Sequence, residues 1–252
     1  IPAIDDLLRI GGLSRVAATA PEVGFDYLIG SSGDTDSGTL LMREVVGGVE
    51  ANGDQRYYYY QTADARGYVG IECKVNEDPI FKFVDVTGSY IRPSSVLEAA
   101  IELEYLHQQE AMPFGYTSVP QARLGDPTAA NTWHDVCLHA FSIGNYSGFT
   151  VSKSNAVNCP RTVQMPTPIE GNCTIKQLDW TDEFNIYEAA ESHNGYITLP
   201  FQMTVGTEAG NTIKIGIPKL QITKVARTEL DDGSMGVDIS FICLANPVLK
   251  FR

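Results

Sequence analysis

The chain has 252 residues and a formal net charge of −13, with 43% hydrophobic and 19% charged residues. This length suits one β-rich domain, so we predict a single domain over residues 1–252. The acidic balance argues against a protein that grips nucleic acid, because such a protein needs clustered Lys and Arg to displace counterions from phosphates. The same net charge is also explained by solubility alone. Composition does not choose between repulsion of nucleic acid and solubility.

The first predicted element is a short helix at Ile4–Leu8. Its apolar residues have helical spacing, and Asp5 and Asp6 occupy the first turn, where carboxylates complement the helix dipole. Gly11 and Gly12 are expected to end this helix.

Two regions then show the short apolar runs, separated by Gly and Pro, that are typical of β-strands. The strands that we predict in them are Phe25–Ile29, Thr39–Val46, Tyr57–Gln61, Tyr68–Val75, Ile80–Val86, Cys137–Ile143, Gly148–Ser152, Arg161–Met165 and Asn172–Leu178. The polar loop between the first two predicted strands resembles a calcium loop only in its alternating Asp34 and Asp36. It lacks the later ligands and the closing Glu, so we expect no calcium there.

The middle of the chain is predicted to carry a helix followed by a long loop. Ser94 and Ser95 can cap a helix that runs to about Glu110. Met112–Asn131 has the Pro, Gly and small polar residues of an extended loop, and such loops often contact partners. We therefore expect a helix-and-loop elaboration at about 94–131. A second short helix is predicted near Asp182–Glu191.

The strongest pattern lies in the last quarter of the chain, as three alternating strands. In Tyr196–Val205 the odd positions are apolar, and odd positions are apolar again from Ile213 until Pro218, after which the apolar positions are even. This change of phase predicts a bulge or an edge position at Pro218. Val237–Cys243 alternates as well, so three consecutive strands predict an antiparallel meander.

Residues that could carry catalysis or bind a metal are few. His134, Cys137 and His139 lie close in sequence, but on a strand only the last two share a face, and no second ligand pair has the usual spacing. Gly144–Gly148 lacks the spacing of a nucleophile elbow, and no phosphate-binding loop is present. We therefore predict no catalytic, cofactor-binding or metal-binding residues, and no enzyme.

Cysteines and tyrosines add two further expectations. The odd number of cysteines, without a C-x-x-C pair, predicts free thiols in a reducing cytosol; they are Cys73, Cys137, Cys159, Cys173 and Cys243. No signal-peptide pattern and no run of about 20 apolar residues is present, so we expect a soluble protein without a membrane partner. A strand at Tyr57–Tyr60 would use two tyrosines in the core and two at an interface, with sugar or base stacking as the alternative.

Segments from both ends of the chain, and a hairpin between them, carry a family resemblance. They are Pro2–Leu13, the pair Ala65–Glu72 and Phe81–Tyr90, then Phe201–Ile222, the Asp231–Gly233 turn and Val237–Pro247. In this order they resemble the major tail tube proteins of long-tailed (siphovirus-like) bacteriophages. The chain departs from that family at 94–131, which looks longer than in many relatives. Relatives also carry further β structure before the Leu7-Leu8 element, so we expect an N-terminal piece to be absent or removed here.

The resemblance implies an antiparallel β-sandwich or barrel with one or two flanking short helices and a long loop. It also implies a virion structural protein, assembled in the host cytoplasm, whose hexameric rings stack into the tail tube. The implied partners are other copies of the chain, the tape measure protein and other tail proteins, while DNA passes through the lumen without specific binding. If the channel side of the strands carries much of the acidic excess, DNA would be repelled from the wall.

Three alternatives stay open from the sequence. One is a related ring of the tail, such as a distal, terminator or baseplate component. Another is a carbohydrate-binding adhesion module that uses the tyrosines and the Met112–Asn131 loop, and the third is a hydrolase with a dispersed active site. The polar positions of the meander either line a channel or meet a neighbouring subunit; they are Thr198, Gln202, Thr204, Lys214, Asp238 and Ser240.

Overall fold

The computed structural model describes residues 5–29, 37–49, 55–94, 114, 119, 121–126, 132–156, 159–176, 186, 198–207 and 212–252. This part of the chain is mainly β, and its strands pair antiparallel, as predicted. Its elements in chain order are α1 (Asp5–Ile10), β1 (Leu13–Ala17), β2 (Phe25–Ile29), β3 (Gly38–Val49), β4 (Gln55–Lys74), β5 (Ile80–Ser94), β6 (Gln121–Gly125), β7 (Trp133–Asp135), β8 (Leu138–Ile143), β9 (Phe149–Ala156), β10 (Cys159–Pro166), β11 (Ile169–Lys176), β12 (Thr198–Val205), β13 (Ile213–Glu229), β14 (Met235–Cys243) and β15 (Val248–Phe251). Within the described ranges, no helix has the length and apolar character needed to cross a membrane.

Helix α1 ends where the glycine pair predicts. The Gly11 amide donates to the carbonyl of Leu7 at 2.8 Å, and the Gly12 amide donates to that of Arg9 at 2.9 Å. Gly12 has φ +86°, a conformation that a side chain strains, and a Cβ there would meet the ring of Phe149. The chain then enters β1, a strand that the sequence patterns did not predict, which pairs with β2.

Strand β13 organises the larger sheet because it is long enough to hold three partners. Its first half pairs with β12 on one side and with β15 on the other, and its second half pairs with β14. From β15 the sheet continues through β2 to β1, and from β14 through β11 and β8 to β4. The predicted meander of β12, β13 and β14 is therefore confirmed.

The predicted change of phase at Pro218 is a bulge. Leu199 faces Leu220 while Phe201 faces Ile217, so β13 contains one residue more than β12 between these pairs. Pro218 and the residue after it are exposed, and Leu220 returns to the core at 1% exposure. The extra residue therefore lets both halves of β13 bury their apolar side chains.

Strands β4 and β5 form one long hairpin where the sequence predicted three short strands. Tyr57–Gln61 and Tyr68–Val75, except Val75 itself, belong to the single strand β4, whose first half pairs with β3 and whose last four residues, Ile71–Lys74, pair with β8. Register shifts in both strands coincide with left-handed residues, Asp64 at φ 51° and Asp85 at φ 50°. Such bulges bend and twist a hairpin, which is how β4 changes partner along its length.

One hydrophobic core is shared by β12 and by the part of the sheet that contains β8 and β14. The ring of Phe141 on β8 stacks on Phe201 of β12, with centroids 5.2 Å apart and planes 7° from parallel, and lies 6.1 Å from the ring of Phe241 on β14. All three side chains are 1% exposed. Burial of one such side chain contributes about 1.5–3 kcal/mol, so contacts of this kind hold the parts of the sheet together.

Three sequence expectations need correction or lie outside the described residues. The prediction of an irregular loop at Met112–Asn131 is wrong over β6, where Ala122 and Leu124 alternate into the core. Ser94 is the last residue of β5 and not a helix cap, and residues 95–110 lie outside the described ranges. Of the second predicted helix only Ile186 is described, and it is helical and buried.

Candidate functional site

The outward side of five neighbouring strands carries two rows of small and polar side chains. Across β4, β8, β11, β14 and β13, the first row is Glu72, Ser142, Asn172, Ser240 and Lys224. The second row, on the same strands, is Lys74, Ala140, Thr174, Asp238 and Ala226. Side chains alternate along a strand, so the residues between the rows point into the core. We call these ten residues the polar wall.

The centre of the polar wall is shallow because its side chains are short. A depression of about 330 Å³ lies there, lined by Asn172, Thr174, Lys224, Ala226, Asp238 and Ser240. Within it, the Thr174 hydroxyl donates a hydrogen bond of 2.6 Å to Oδ1 of Asp238. This bond joins directly opposed residues of β11 and β14 and uses part of the hydrogen-bonding capacity of the only carboxylate among the six.

Charges of both signs are nearly balanced on the polar wall. Glu72 pairs with Lys82 on β5, and Lys74 pairs with Glu77 at 3.2 Å. The hydrogen bond from Lys74 to Glu77 raises the pKa of Lys74 above its ordinary value, with a smaller electrostatic contribution from the same carboxylate. With two acidic and two basic members, the polar wall does not concentrate the acidic excess of the chain.

At the two borders of this surface, β5 and β13 each have an open side, which is a side without a strand partner among the described residues. In the described part of the chain, β5 pairs only with β4, and β13 has no partner opposite β14 from Ile222 onwards. In the order β5, β4, β8, β11, β14 and β13, each strand is antiparallel to the next. Strand β13 is therefore antiparallel to β5, and the two strands with open sides run in opposite directions. Ile80 extends the first row onto β5, where it faces Glu72 and is 45% exposed.

The polar positions of the meander do not share one surface. Asp238 and Ser240 belong to the polar wall, whereas the remaining four lie on β12 and the first half of β13, namely Thr198, Gln202, Thr204 and Lys214. On that second surface the guanidinium of Arg123 donates to Oε1 of Gln202 at 2.7 Å and lies 4.6 Å from the ring centroid of Trp133. The surface is therefore built from longer side chains than the polar wall.

The histidines and cysteine considered for a metal site are separated. His134 lies 3.3 Å from Oδ2 of Asp126, and His139 lies 3.6 Å from Oδ2 of Asp231. Cys137 and His139 line one groove, described below, which His134 does not line. Across the described ranges, no three His, Cys, Asp or Glu side chains are close enough to hold a metal ion.

Ser147, the hydroxyl nearest in pattern to a nucleophile elbow, has a structural role. It is fully buried, donates to the carbonyl of Gly11 and accepts a hydrogen bond of 3.0 Å from the Val69 amide. Tyr146 beside it is also buried, and its hydroxyl has no partner among the described residues. Ser147 thus lacks the access to substrate that a nucleophile needs.

The tyrosine run lies in the first half of β4. Tyr58 is 42% exposed, and the Tyr60 hydroxyl donates a 2.7 Å hydrogen bond to Oε2 of Glu44 on β3. Tyr59 is half-buried, and the side chain of Tyr57 lies outside the described set. The run therefore contributes one clearly exposed ring, with no adjacent aromatic platform visible among these side chains.

Of the ten residues of the polar wall, the sequence patterns singled out only Asp238 and Ser240, and the missed ones include Asn172, Thr174 and Lys224. The signal in β11 was present, because its odd positions are buried and its even positions are polar. A second bulge lies between Ile222 and Lys224, so alternation along the sequence does not show which face of β13 carries Lys224. Comparison of the sequence with protein-family models and with curated proteins found no match.

Proposed function

We propose that the chain is a virion structural protein whose copies close into rings, with the rings stacked into a phage tail tube that conducts DNA. The observation that carries this proposal is the polar wall, bordered by the open sides of β5 and β13. Open sheet edges template pairing with another chain, and a folded protein normally covers them. The family resemblance of the sequence adds the number of copies, six per ring, and the partners in the tail.

Strand directions favour closure by rotation. When a copy is rotated about an axis, its β5 comes beside the β13 of its neighbour, and these strands run antiparallel, like the strand pairs among the described residues of the subunit. The sheet can then continue from copy to copy without an edge, as a closed barrel does. Closed rings are also the usual outcome for homo-oligomers with one repeated interface.

The chemistry of the polar wall suits a conduit. Serine, asparagine, threonine and alanine side chains give DNA few cationic partners, and Lys74 has Glu77 at 3.2 Å. Tight DNA binding requires Lys and Arg that displace counterions, so a nearly balanced wall favours passage over retention. In this proposal the weak contact with DNA comes from balanced charge and short side chains, and not from an acidic lining.

Negative-stain microscopy of the purified protein tests the proposal. We expect hollow tubes or rings, and dispersed monomers at high protein concentration would contradict it. Ile80→Lys places a charge at the open side of β5 and should leave folded monomers, because edge lysines block strand pairing. The matched control is Leu244→Lys, which changes a residue of similar exposure, 52% against 45%, in the β14–β15 turn and should assemble normally.

A further inference from the structure

Two complementary features lie on opposite sides of one surface. This surface is crossed by one row of residues that are neighbours from strand to strand. On β6, β12, β13, β15, β2 and β1 they are Gln121, Thr204, Lys214, Lys250, Asp26 and Val16. At its β6 side is a groove, which we call the end groove. At its β1 side is the turn of residues 18–24 between β1 and β2, which we call the hairpin tip. Five strand spacings of about 4.8 Å separate them, so the tip of a copy cannot fill its own groove.

The end groove has a volume of about 490 Å³ and an apolar floor. Its floor is built by Phe114, Ala122, Val136, Leu138 and Leu230, and its rim includes Cys137, Asp135, Asp232 and Lys176. Cys137 is exposed, whereas Val136 and Leu230 are each 7% exposed at the bottom. Apolar surface of this kind gains free energy when a partner removes it from water.

The hairpin tip presents an apolar side chain on a fixed turn. Val23 is 85% exposed, more than any other large hydrophobic residue of the described part. The Ala18 amide donates to the carbonyl of Gly24 at 3.0 Å, and the Glu22 amide donates to that of Thr19 at 3.1 Å. The guanidinium of Arg252 donates two hydrogen bonds, of 2.7 and 3.0 Å, to Oε2 of Glu22. A turn fixed before binding loses little conformational entropy on docking.

The charges around the two features are complementary. Near the tip, three cations outnumber two anions; they are Lys214, Lys250 and Arg252 against Glu22 and Asp26. At the groove, the lining carries two carboxylates, Asp135 and Asp232, against one lysine, Lys176. Complementary potentials favour this pairing over tip against tip or groove against groove.

We propose that the hairpin tip of one copy docks in the end groove of a neighbouring copy, with Val23 on the apolar floor. The inference rests on the proposed function in one respect, because the neighbouring copy is the adjacent subunit of the proposed assembly. Because two different patches meet, a docked pair still has one free tip and one free groove, and the contact can repeat from copy to copy. The geometry thereby supplies a contact distinct from the pairing of β5 with β13.

Cross-linking through a native thiol tests the contact directly. Val23→Cys is made in a Cys159→Ser background, assembled, and treated with diamide, which oxidises two thiols to a disulfide. We expect a ladder of covalent oligomers on a non-reducing gel, formed with Cys137 of the neighbour. The ladder should vanish with Cys137→Ser. Val86→Cys, at 40% exposure on β5, is the matched control and should give no ladder that depends on Cys137.

The length of the ladder adds information. A ladder that stops at the ring size places the contact within a ring, and a longer ladder places it between rings; both support docking. Absence of a Cys137-dependent ladder from Val23→Cys overturns the inference, whether or not tubes are present.

A charge at the tip provides an independent measurement. Val23→Asp changes an exposed residue and should leave the fold intact, while the assemblies lose the contact and become shorter or dissociate in microscopy. Assemblies with unchanged length and salt resistance would overturn the inference and leave the proposed function standing. If the unmodified protein forms neither rings nor tubes, the proposed function fails, and the cross-link alone decides whether tip and groove meet.

Discussion

The hydroxyl of Tyr27 donates a hydrogen bond to the carboxylate of Asp5, 22 residues earlier in the chain, inside the core. Arg15 donates a second bond of 2.6 Å to the same carboxylate, so both oxygens of Asp5, a residue of 6% exposure, have a hydrogen-bond partner. Burial and, after it, the bond to Asp5 raise the pKa of Tyr27 above its ordinary value. Three elements, α1, β1 and β2, are joined at this point.

Asp5→Ala should therefore lower the free energy of unfolding by about 3 kcal/mol, since it leaves the Tyr27 hydroxyl buried without an acceptor. Urea unfolding followed by fluorescence measures the loss. Asp6→Ala is the matched control, because Asp6 is exposed in the same helical turn, and its effect should stay within about 0.5 kcal/mol. Equal effects of the two substitutions would contradict the role assigned to Asp5.

The bulge in β13 yields a second prediction. Deletion of Lys219 removes the extra residue, so that Ile217, Leu220 and Ile222 alternate without interruption and all keep facing the core. We therefore expect the deletion variant to keep a cooperative thermal transition and its soluble yield, with a modest loss of Tm because the Leu244 amide loses the Lys219 carbonyl as its acceptor. Lys219→Ala keeps the backbone bulge and should melt like the unmodified protein, since the Lys219 side chain is exposed and its carbonyl still accepts from the Leu244 amide. Loss of the cooperative transition in the deletion variant would show that the bulge itself is required for the fold.

Local sequence explains which parts of the fold could be predicted. The bulge at Pro218 was predictable because a proline and a change of apolar phase coincide within a few residues. Strand β6 was missed because its five residues lie among Pro, Gly and Ala, with only Ala122 and Leu124 alternating inward. The division of β4 into two predicted strands has a similar origin, since the bulge near Asp64 interrupts alternation.

The candidate site depended on contacts that local patterns do not contain. Asp238 was recognised as a polar position, but its partner Thr174 lies 64 residues away and is set by the register of β11 with β14. Asp5 and Asp6 carry the same helix-start signal, yet only Asp5 meets Tyr27 and Arg15. Burial of a charge follows from distant partners, so sequence spacing alone could not separate the two residues.

Thiol reactivity offers a third prediction. Burial raises the pKa values of Cys73 and Cys173 to about 12, and burial has the same effect on Cys243. At pH 8 these thiols should react with a disulfide reagent only after unfolding, because the thiolate is the nucleophile. Exposed Cys137 should react in the folded protein. In a Cys159→Ser background, Cys137→Ser should abolish the fast phase, and a remaining fast thiol would contradict the raised pKa of the other three thiols.

The ion pairs of Glu22 give a pH-dependent prediction. The hydrogen bond from Arg252, followed by the charges of Lys250 and Arg252, holds the pKa of Glu22 below its ordinary value of 4.5. Because the folded pKa is the lower one, ionised Glu22 stabilises the fold above about pH 4.5, and this contribution disappears as the pH falls through the lowered folded value. Glu22→Gln should therefore melt below the unmodified protein at pH 7, with the difference in Tm shrinking at pH 3.

Salt and a matched substitution separate this effect from a general change in charge. Glu22 is at the surface, so the difference in Tm at pH 7 should also shrink in about 1 M NaCl, where the screening length is about 3 Å. Glu229→Gln removes the same charge from an exposed position on β13, outside the cluster of Glu22, Arg252 and Lys250. Its Tm difference should be small and independent of pH. A Glu22→Gln difference that is equal at pH 3 and pH 7 would mean that the side chain acts through packing, because packing does not depend on ionisation of the carboxylate.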